Sequence, residues 1–317
     1  MNTARADDTA WLPVRDQNPF VLGSGLPLLP QAALPAGNWS FEAGINESNT
    51  QLISTLDGGR IPPKTQVVFG GETREARVSV SYALSDDWTA RASLGDFWFG
   101  VGFLNDAIDH FHSLIGAPKG YRDGRLGERT PVARVTENGV VLYALDQPGQ
   151  SIAPLLIDLT RSWRVSDTTR YGLSLGVKLP TGDTNRLADA GDHAVSVSAF
   201  GDWVAYDFLQ VGARVGLMHA SGNDLLPTLA RTSVPFADVY ARMRVIGEWS
   251  AELQYDAHAA LYRNAPNFLS NAGSFSFGLV HPLGKHAELV LGLSEDLPID
   301  HTQDVSFLVS FRYRPGN

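Results

Sequence analysis

Cysteine is absent from the 317-residue chain, so no disulfide framework stabilises it, and a chain of this length needs none. The absence also fits a protein exported unfolded through an oxidising compartment. Long apolar runs are missing as well. No stretch of about 18 apolar residues occurs, which argues against a transmembrane helix but leaves open a membrane β-barrel, whose strands are about 10 residues of alternating character. A basic face is lacking too. The formal net charge is −9, so nucleic acid is not an expected partner. The segment Met1–Asp8 has no apolar core of the leader type. Export would therefore require a leader removed ahead of this numbering.

What the chain does contain is alternation. In the C-terminal stretch the odd positions are Val305, Phe307, Val309, Phe311 and Tyr313, and the even ones include Ser306, Ser310 and Arg312. A period of two makes a strand with two unlike faces. Similar segments recur at 38–46, 73–84, 88–98, 153–164, 168–179, 193–204, 207–219, 234–246, 249–262, 273–281 and 286–295, which with 303–313 makes twelve. Connections after the even-numbered segments are a few residues long, and those after the odd-numbered ones are longer. That is the pattern of an antiparallel barrel with short turns at one end and long loops at the other. Trp88, Trp163, Trp203, Trp249 and Tyr313 all fall beside the short turns, where an aromatic belt meets a bilayer interface. An open sheet would leave backbone groups that lipid cannot satisfy, so closure is expected.

The reading is therefore all-β: a single closed antiparallel transmembrane β-barrel of about 12 strands over 36–317. It is preceded by an irregular, Pro-rich arm over 1–35, which either hangs free in the periplasm or tucks into the barrel mouth. The long loop 99–150 carries apolar residues at 104, 108, 111 and 115, which is helical spacing. That predicts an amphipathic helix lying on the rim, stopped by Gly116, Pro118 and Gly120. A short hairpin at 132–145 is expected to turn at Glu137-Asn138-Gly139.

Several short motifs occur in order along nearly the whole chain. They are Asn18-Pro19-Phe20, Glu47-Ser48-Asn49, Gly102-Phe103-Leu104 with Phe111-His112, Leu179-Pro180-Thr181-Gly182-Asp183, Asp256-Ala257-His258 with Ala260-Leu261-Tyr262, and the final Phe311-Arg312-Tyr313. With these the chain resembles a family of uncharacterised Gram-negative outer-membrane β-barrel proteins, catalogued as a domain of unknown function. The resemblance implies fold and location in the bacterial outer membrane. It implies no activity. Barrels of this kind usually end on the aromatic residue, whereas Arg314-Pro315-Gly316-Asn317 follow it here.

With the apolar face toward lipid, the lumen-lining candidates are Arg77, Arg91, Arg170, Lys178, Arg214, Arg242, Arg244, Glu252, Asp256, His258, Tyr262, Glu288 and Arg312. Glu42, Glu75, Asp158, Asp202, Asp238 and Asp296 share their face. Nearly cancelling signs point to ion pairs across the interior. The expected function is a narrow small-solute channel or an occluded envelope protein, with no cofactor and no metal. Its expected partners are outer-membrane lipids, lipopolysaccharide and the barrel-assembly machinery. The alternative is a lipid hydrolase in which His219 would act as base for Ser221, since His219-Ala220-Ser221 faintly resembles the His-x-Ser motifs of outer-membrane phospholipases and lipid A deacylases. Asp106, Asp109 and His110 share one helical face and are of metal-ligating type. The same face is simply the polar side of an amphipathic helix, and that is the preferred reading.

Overall fold

The computed structural model describes residues 11–56, 64–115, 126–127 and 129–315, with backbone alone at 107, 109, 111, 112, 114 and 115. Fifteen strands are described: β1 (Trp39–Leu56), β2 (Thr65–Ala83), β3 (Trp88–Gly100), β4 (Val132–Glu137), β5 (Val140–Leu145), β6 (Gly149–Ile152), β7 (Leu155–Ser166), β8 (Thr169–Leu179), β9 (Ala194–Tyr206), β10 (Leu209–Ala220), β11 (Ser233–Ile246), β12 (Trp249–His258), β13 (Ala272–Leu283), β14 (Ala287–Asp296) and β15 (Val305–Tyr313). Twelve of them, β1–β3 and β7–β15, pair in order, and β1 meets β15 antiparallel from Phe41↔Tyr313 to Asn49↔Val305, so the ring closes. The remaining three extend it at the long-loop end. β4 adds to the overhang of β2 and carries β5, and β6 adds to β3.

Twist and closure leave one face of every strand turned outward. Along β9 the residues alternate between buried and exposed, and Val195 and Val197 are exposed. Leu173 and Leu175 on β8, Val215 and Leu217 on β10, and Phe307, Val309 and Phe311 on β15 are exposed as well. A belt of this size needs an apolar solvent. At its short-turn edge stand the expected aromatics. The Arg161 guanidinium lies 5.5 Å over Trp88 and 5.1 Å over Trp163, and Trp203 donates to the Tyr171 hydroxyl.

The short turns span two to four residues and the connections at the other end eight or more. Two boundaries differ from expectation. β1 and β2 run on as a paired ribbon to Leu56↔Thr65, past the expected ends at 46 and 73, so most of the stretch between those segments is strand. The turn signals that the sequence offers there, Asp57-Gly58-Gly59 and Pro62-Pro63, lie outside the described residues. β12 stops at His258 rather than 262, because Ala259 and the residues after it turn across the barrel end. The 132–145 hairpin forms as β4 and β5.

Helix α1 (Pro19–Leu22) begins with Pro at its first position and with the Asn18 side chain accepting from the Phe20 amide, a regular N-terminal cap. Helix α2 (Leu104–Ile115) rests on the outer end of the β1–β15 seam. Leu104 and Ile108 pack on Val305, as the rim-helix reading requires. Phe111's side chain and the stop signals Gly116, Pro118 and Gly120 lie outside the described residues. The main apolar core is at the long-loop end, where Phe20 of the arm, Leu226 and Phe268 of the loops, and Phe69, Phe97 and Phe99 of β2 and β3 cluster. Among the described residues the barrel shaft holds only smaller apolar clusters, and most of its inner face is polar.

Candidate functional site

The shaft is occupied by the chain's own N-terminal segment. Residues 11–18 rise along β11–β15, α1 turns the chain beneath the loops, and residues 23–35 descend along β7–β10 and β2–β3. The rising leg is anchored by Leu12, whose amide donates to Glu252 Oε1 and Gln254 Oε1, both at 3.1 Å. Leu12 and Val14 pack against Val280, Val290 and Leu308. The Trp11 ring meets Tyr240 edge-on at 4.6 Å. Higher up, Asp16 Oδ2 is 2.7 Å from His258 Nε2, and the Gln17 amide donates to Gln303 at 2.9 Å. At the top, Phe20 is edge-on to Phe69, Tyr143 and Phe268.

The descending leg has few side chains that could specify its place, so its carbonyls are held instead. Arg214 donates to Leu28 O at 2.7 Å, Arg91 to Leu29 O at 2.8 Å and Arg170 to Gln31 O at 2.9 Å. Arg312 does the same for Trp11 O on the rising leg. Each of these arginines turns another nitrogen to a carboxylate on the wall. Arg91 pairs with Asp158 at 2.7 Å, Arg170 with Asp202 at 2.5 Å, Arg214 with Asp238 at 2.6 Å and Arg312 with Glu42 at 2.5 Å. The planar guanidinium presents donors on several edges, so one group can hold an anion and a carbonyl at once. Paired burial is what makes such charges tolerable inside a protein.

The other lumen candidates fall into place around this frame. Arg242 pairs with Glu252 at 2.6 Å, Arg77 with Glu75 at 2.7 Å, and Glu288 receives Arg312 and Arg314 at longer range. Gln254 Nε2 donates to Asp256 at 2.9 Å. Lys178 is buried between Asp189 at 2.9 Å and Asp192 at 2.7 Å. Both acids come from the loop after β8. Burial holds the Asp192 carboxyl above the ordinary range although Lys178 pulls it down.

Two members are corrected. Arg244 is exposed beside the β11–β12 turn, outside the packed interior, because the alternation continues past the level the arm reaches. Tyr262 is not on a strand. It follows β12 in the loop, bridges to Ala230 and donates its hydroxyl to Phe20 O at 2.7 Å. Burial there raises its hydroxyl pKa above the ordinary tyrosine range.

The hydrolase pair does not assemble. His219 Nδ1 faces Ser233 at 3.2 Å, while Ser221 Oγ accepts from the His193 amide at 3.1 Å. A base must reach the nucleophile's proton, and here each group has another partner. On α2, Asp106 and His110 are exposed, and the side chain of Asp109 lies outside the described residues. Sequence reasoning did not find Asp16, Gln254 or the carbonyl contacts. Gln254 was visible as an inward position of its strand, whereas backbone carbonyls carry no sequence signal.

Among the described residues, a cavity of about 100 Å³ lies between the arm and the β1–β3 wall. Pro13, Leu26 and Leu29 of the arm face Glu42, Asn46, Glu75 and Arg77 of the wall across it.

No curated protein matches the chain by sequence. Among solved structures it is similar to the COG4313 outer membrane channel from Pseudomonas putida F1, with 14% identity and a TM-score of 0.57 over 89% of this chain and 97% of that one. It is also similar to the NanC porin, with 11% identity and a TM-score of 0.49 over 86% of this chain and 98% of that one. The first likeness places the fold among outer-membrane β-barrels. The family model described as "Protein of unknown function (DUF3187)" matches residues 1–314, and the chain belongs to that family of outer-membrane-type β-barrels.

Proposed function

We propose that this protein is an outer-membrane channel for small polar solutes, narrowed from within by its own N-terminal segment. The observation that carries this reading is the cavity of about 100 Å³ left alongside the arm, lined on its wall side by charged and amide groups. A volume of that size holds several waters, so it suits a small hydrated solute and excludes bulky ones. The ion pairs that surround it give a polar wall with little net charge, through which apolar molecules gain nothing. The COG4313 relative is called an outer membrane channel, and the same role is proposed here.

The proposal includes delivery. A leader removed ahead of this numbering carries the chain across the inner membrane, the barrel-assembly machinery folds it with β15 as the terminal strand, and lipid and lipopolysaccharide surround the apolar belt. The purified protein in planar bilayers is expected to show discrete steps of low conductance. A membrane that stays silent after verified insertion would leave an occluded envelope protein in place of a channel.

A further inference from the structure

The seam that closes the barrel carries buried polar atoms with nothing to bond. On its inner face Ser48 opposes Ser306, Asn46 opposes Leu308 and Gly44 opposes Ser310. The hydroxyls of Ser48, Ser306 and Ser310 and the Oδ1 of Asn46 have no hydrogen-bond partner among the described residues. These four residues are 1%, 1%, 1% and 7% exposed, respectively. An unpartnered buried hydroxyl or amide loses its bonds to water and gains none in return, so folded proteins keep few of them. Four in one row along two paired strands form a feature of the wall.

The contrast with the neighbouring seam is direct. On β13 and β14 the inward serines satisfy one another: Ser274 meets Ser294 at 2.7 Å and Ser276 donates to Ser294 at 3.0 Å. Gln303 donates to Ser274 at 3.1 Å. Residues of the same type, one or two strands away, are closed into a network, while those on β15 and β1 face inward unpaired.

The row also joins the cavity. Gly44 and Asn46 line it, together with Glu42, Glu75, Arg77 and Arg312. Gly44 keeps the row clear. A Cβ there would come within 3.2 Å of Ser310, and a larger side chain would fill the groove. The charged residues beside the row are already paired with each other, Arg77 with Glu75 and Arg312 with Glu42. On the seam itself the unpaired atoms are therefore neutral hydroxyl and amide groups, able both to donate and to accept, while the arm adds Arg15, whose Nε and Nη1 are unpartnered among the described residues, to the cavity lining.

We infer that solute moves along the β15–β1 seam, past Ser310, Asn46, Ser306 and Ser48, and that the row recognises small uncharged hydroxylated molecules of about the size of glycerol. This rests on the channel reading. It adds the route, the solute class and a role for the arm as a fixed inner wall of the track.

The absence of cysteine makes the test clean. Single variants Ser306→Cys, Ser310→Cys and Ser276→Cys in the full chain, reconstituted in liposomes, are treated with a water-soluble methanethiosulfonate. The seam cysteines are expected to react at least tenfold faster than Cys at 276, and the reaction should at least halve glycerol entry measured by liposome swelling. Gly44→Leu should lower entry similarly without any reagent. Equal or slower modification at the seam would overturn the route, as would full modification with no fall in entry. If the parent protein passes neither ions nor glycerol, the channel reading fails. The labelling pattern then still judges the track, because unreactive seam cysteines would show that no open groove is present. Faster entry of a charged solute of the same size than of glycerol would overturn the solute class.

Discussion

Gly278→Val tests whether the rising leg is held by shape. Gly278 is on the inner face of β13, and a Cβ added there would stand 2.4 Å from Leu12 Cδ2 and 2.9 Å from Cδ1. Those atoms belong to a fully buried side chain packed between Val280, Val290 and Leu308, so Leu12 must leave its site. Full burial of a leucine is worth about 1.5–3 kcal/mol, and 1.4 kcal/mol is about a factor of ten in an equilibrium constant. The docked state of the leg should therefore weaken by about one to two orders of magnitude. Amide exchange reads this directly, because the Leu12 and Gln17 amides donate to side chains of the wall and loop. Their exchange is expected to accelerate ten- to hundredfold, while amides of β8–β10 stay unchanged. Adding Leu12→Ala supplies the missing space and should recover part of the protection, a coupling that only contacting residues show. Unchanged exchange in Gly278→Val, or no recovery in the double variant, would refute the packing argument.

Other expectations follow from the same contacts. Arg170→Met leaves Asp202 buried without its cation and should cost about 3–5 kcal/mol in urea unfolding, whereas the double change with Asp202→Leu should cost clearly less. Tyr262→Phe removes the bond to Phe20 O and should lower stability by about 1 kcal/mol. Because burial raises the Asp192 carboxyl, its favourable contribution is complete below the ordinary carboxylate pKa of about 3.9 and is lost as pH rises through the raised value. Asp192→Asn should therefore gain relative stability between pH 4 and pH 8, which unfolding midpoints at the two pH values can check. Deleting residues 11–34 should raise conductance several-fold without shifting ion selectivity, since the charged side chains of that stretch, Arg15 and Asp16, cancel; unchanged conductance would place the constriction in the loops.

The barrel was legible because lipid enforces alternation residue by residue. Each strand that crosses the belt must read apolar outward, and that pattern survives without knowledge of its neighbours. The candidate charges on the inner face were legible for the same reason. Their partners were not, because pairing depends on register between strands. The arm was illegible for a different cause. Its prolines excluded regular structure, and its anchorage runs through carbonyls of Leu28, Leu29 and Gln31, groups that every residue has. Tyr262 was misplaced because Ala260 and Tyr262 continue the strand's apparent rhythm after β12 has ended, and periodicity cannot distinguish a strand from the loop core that follows it.

The arginines of the shaft connect these observations. A charged interior in a barrel invites the reading of a selectivity filter, in which free side chains meet passing ions. Here Arg91, Arg170 and Arg214 each spend one edge on a wall carboxylate and another on a carbonyl of the arm. An ion reaching them would have to displace a charge-assisted bond, which is among the stronger hydrogen bonds a protein makes. The charges therefore fix the arm and only indirectly shape the passage. By this argument neutralising a complete pair, such as Arg214 with Asp238, should loosen the arm more than it alters selectivity. The groups that decide what passes should be the uncharged ones along β1 and β15.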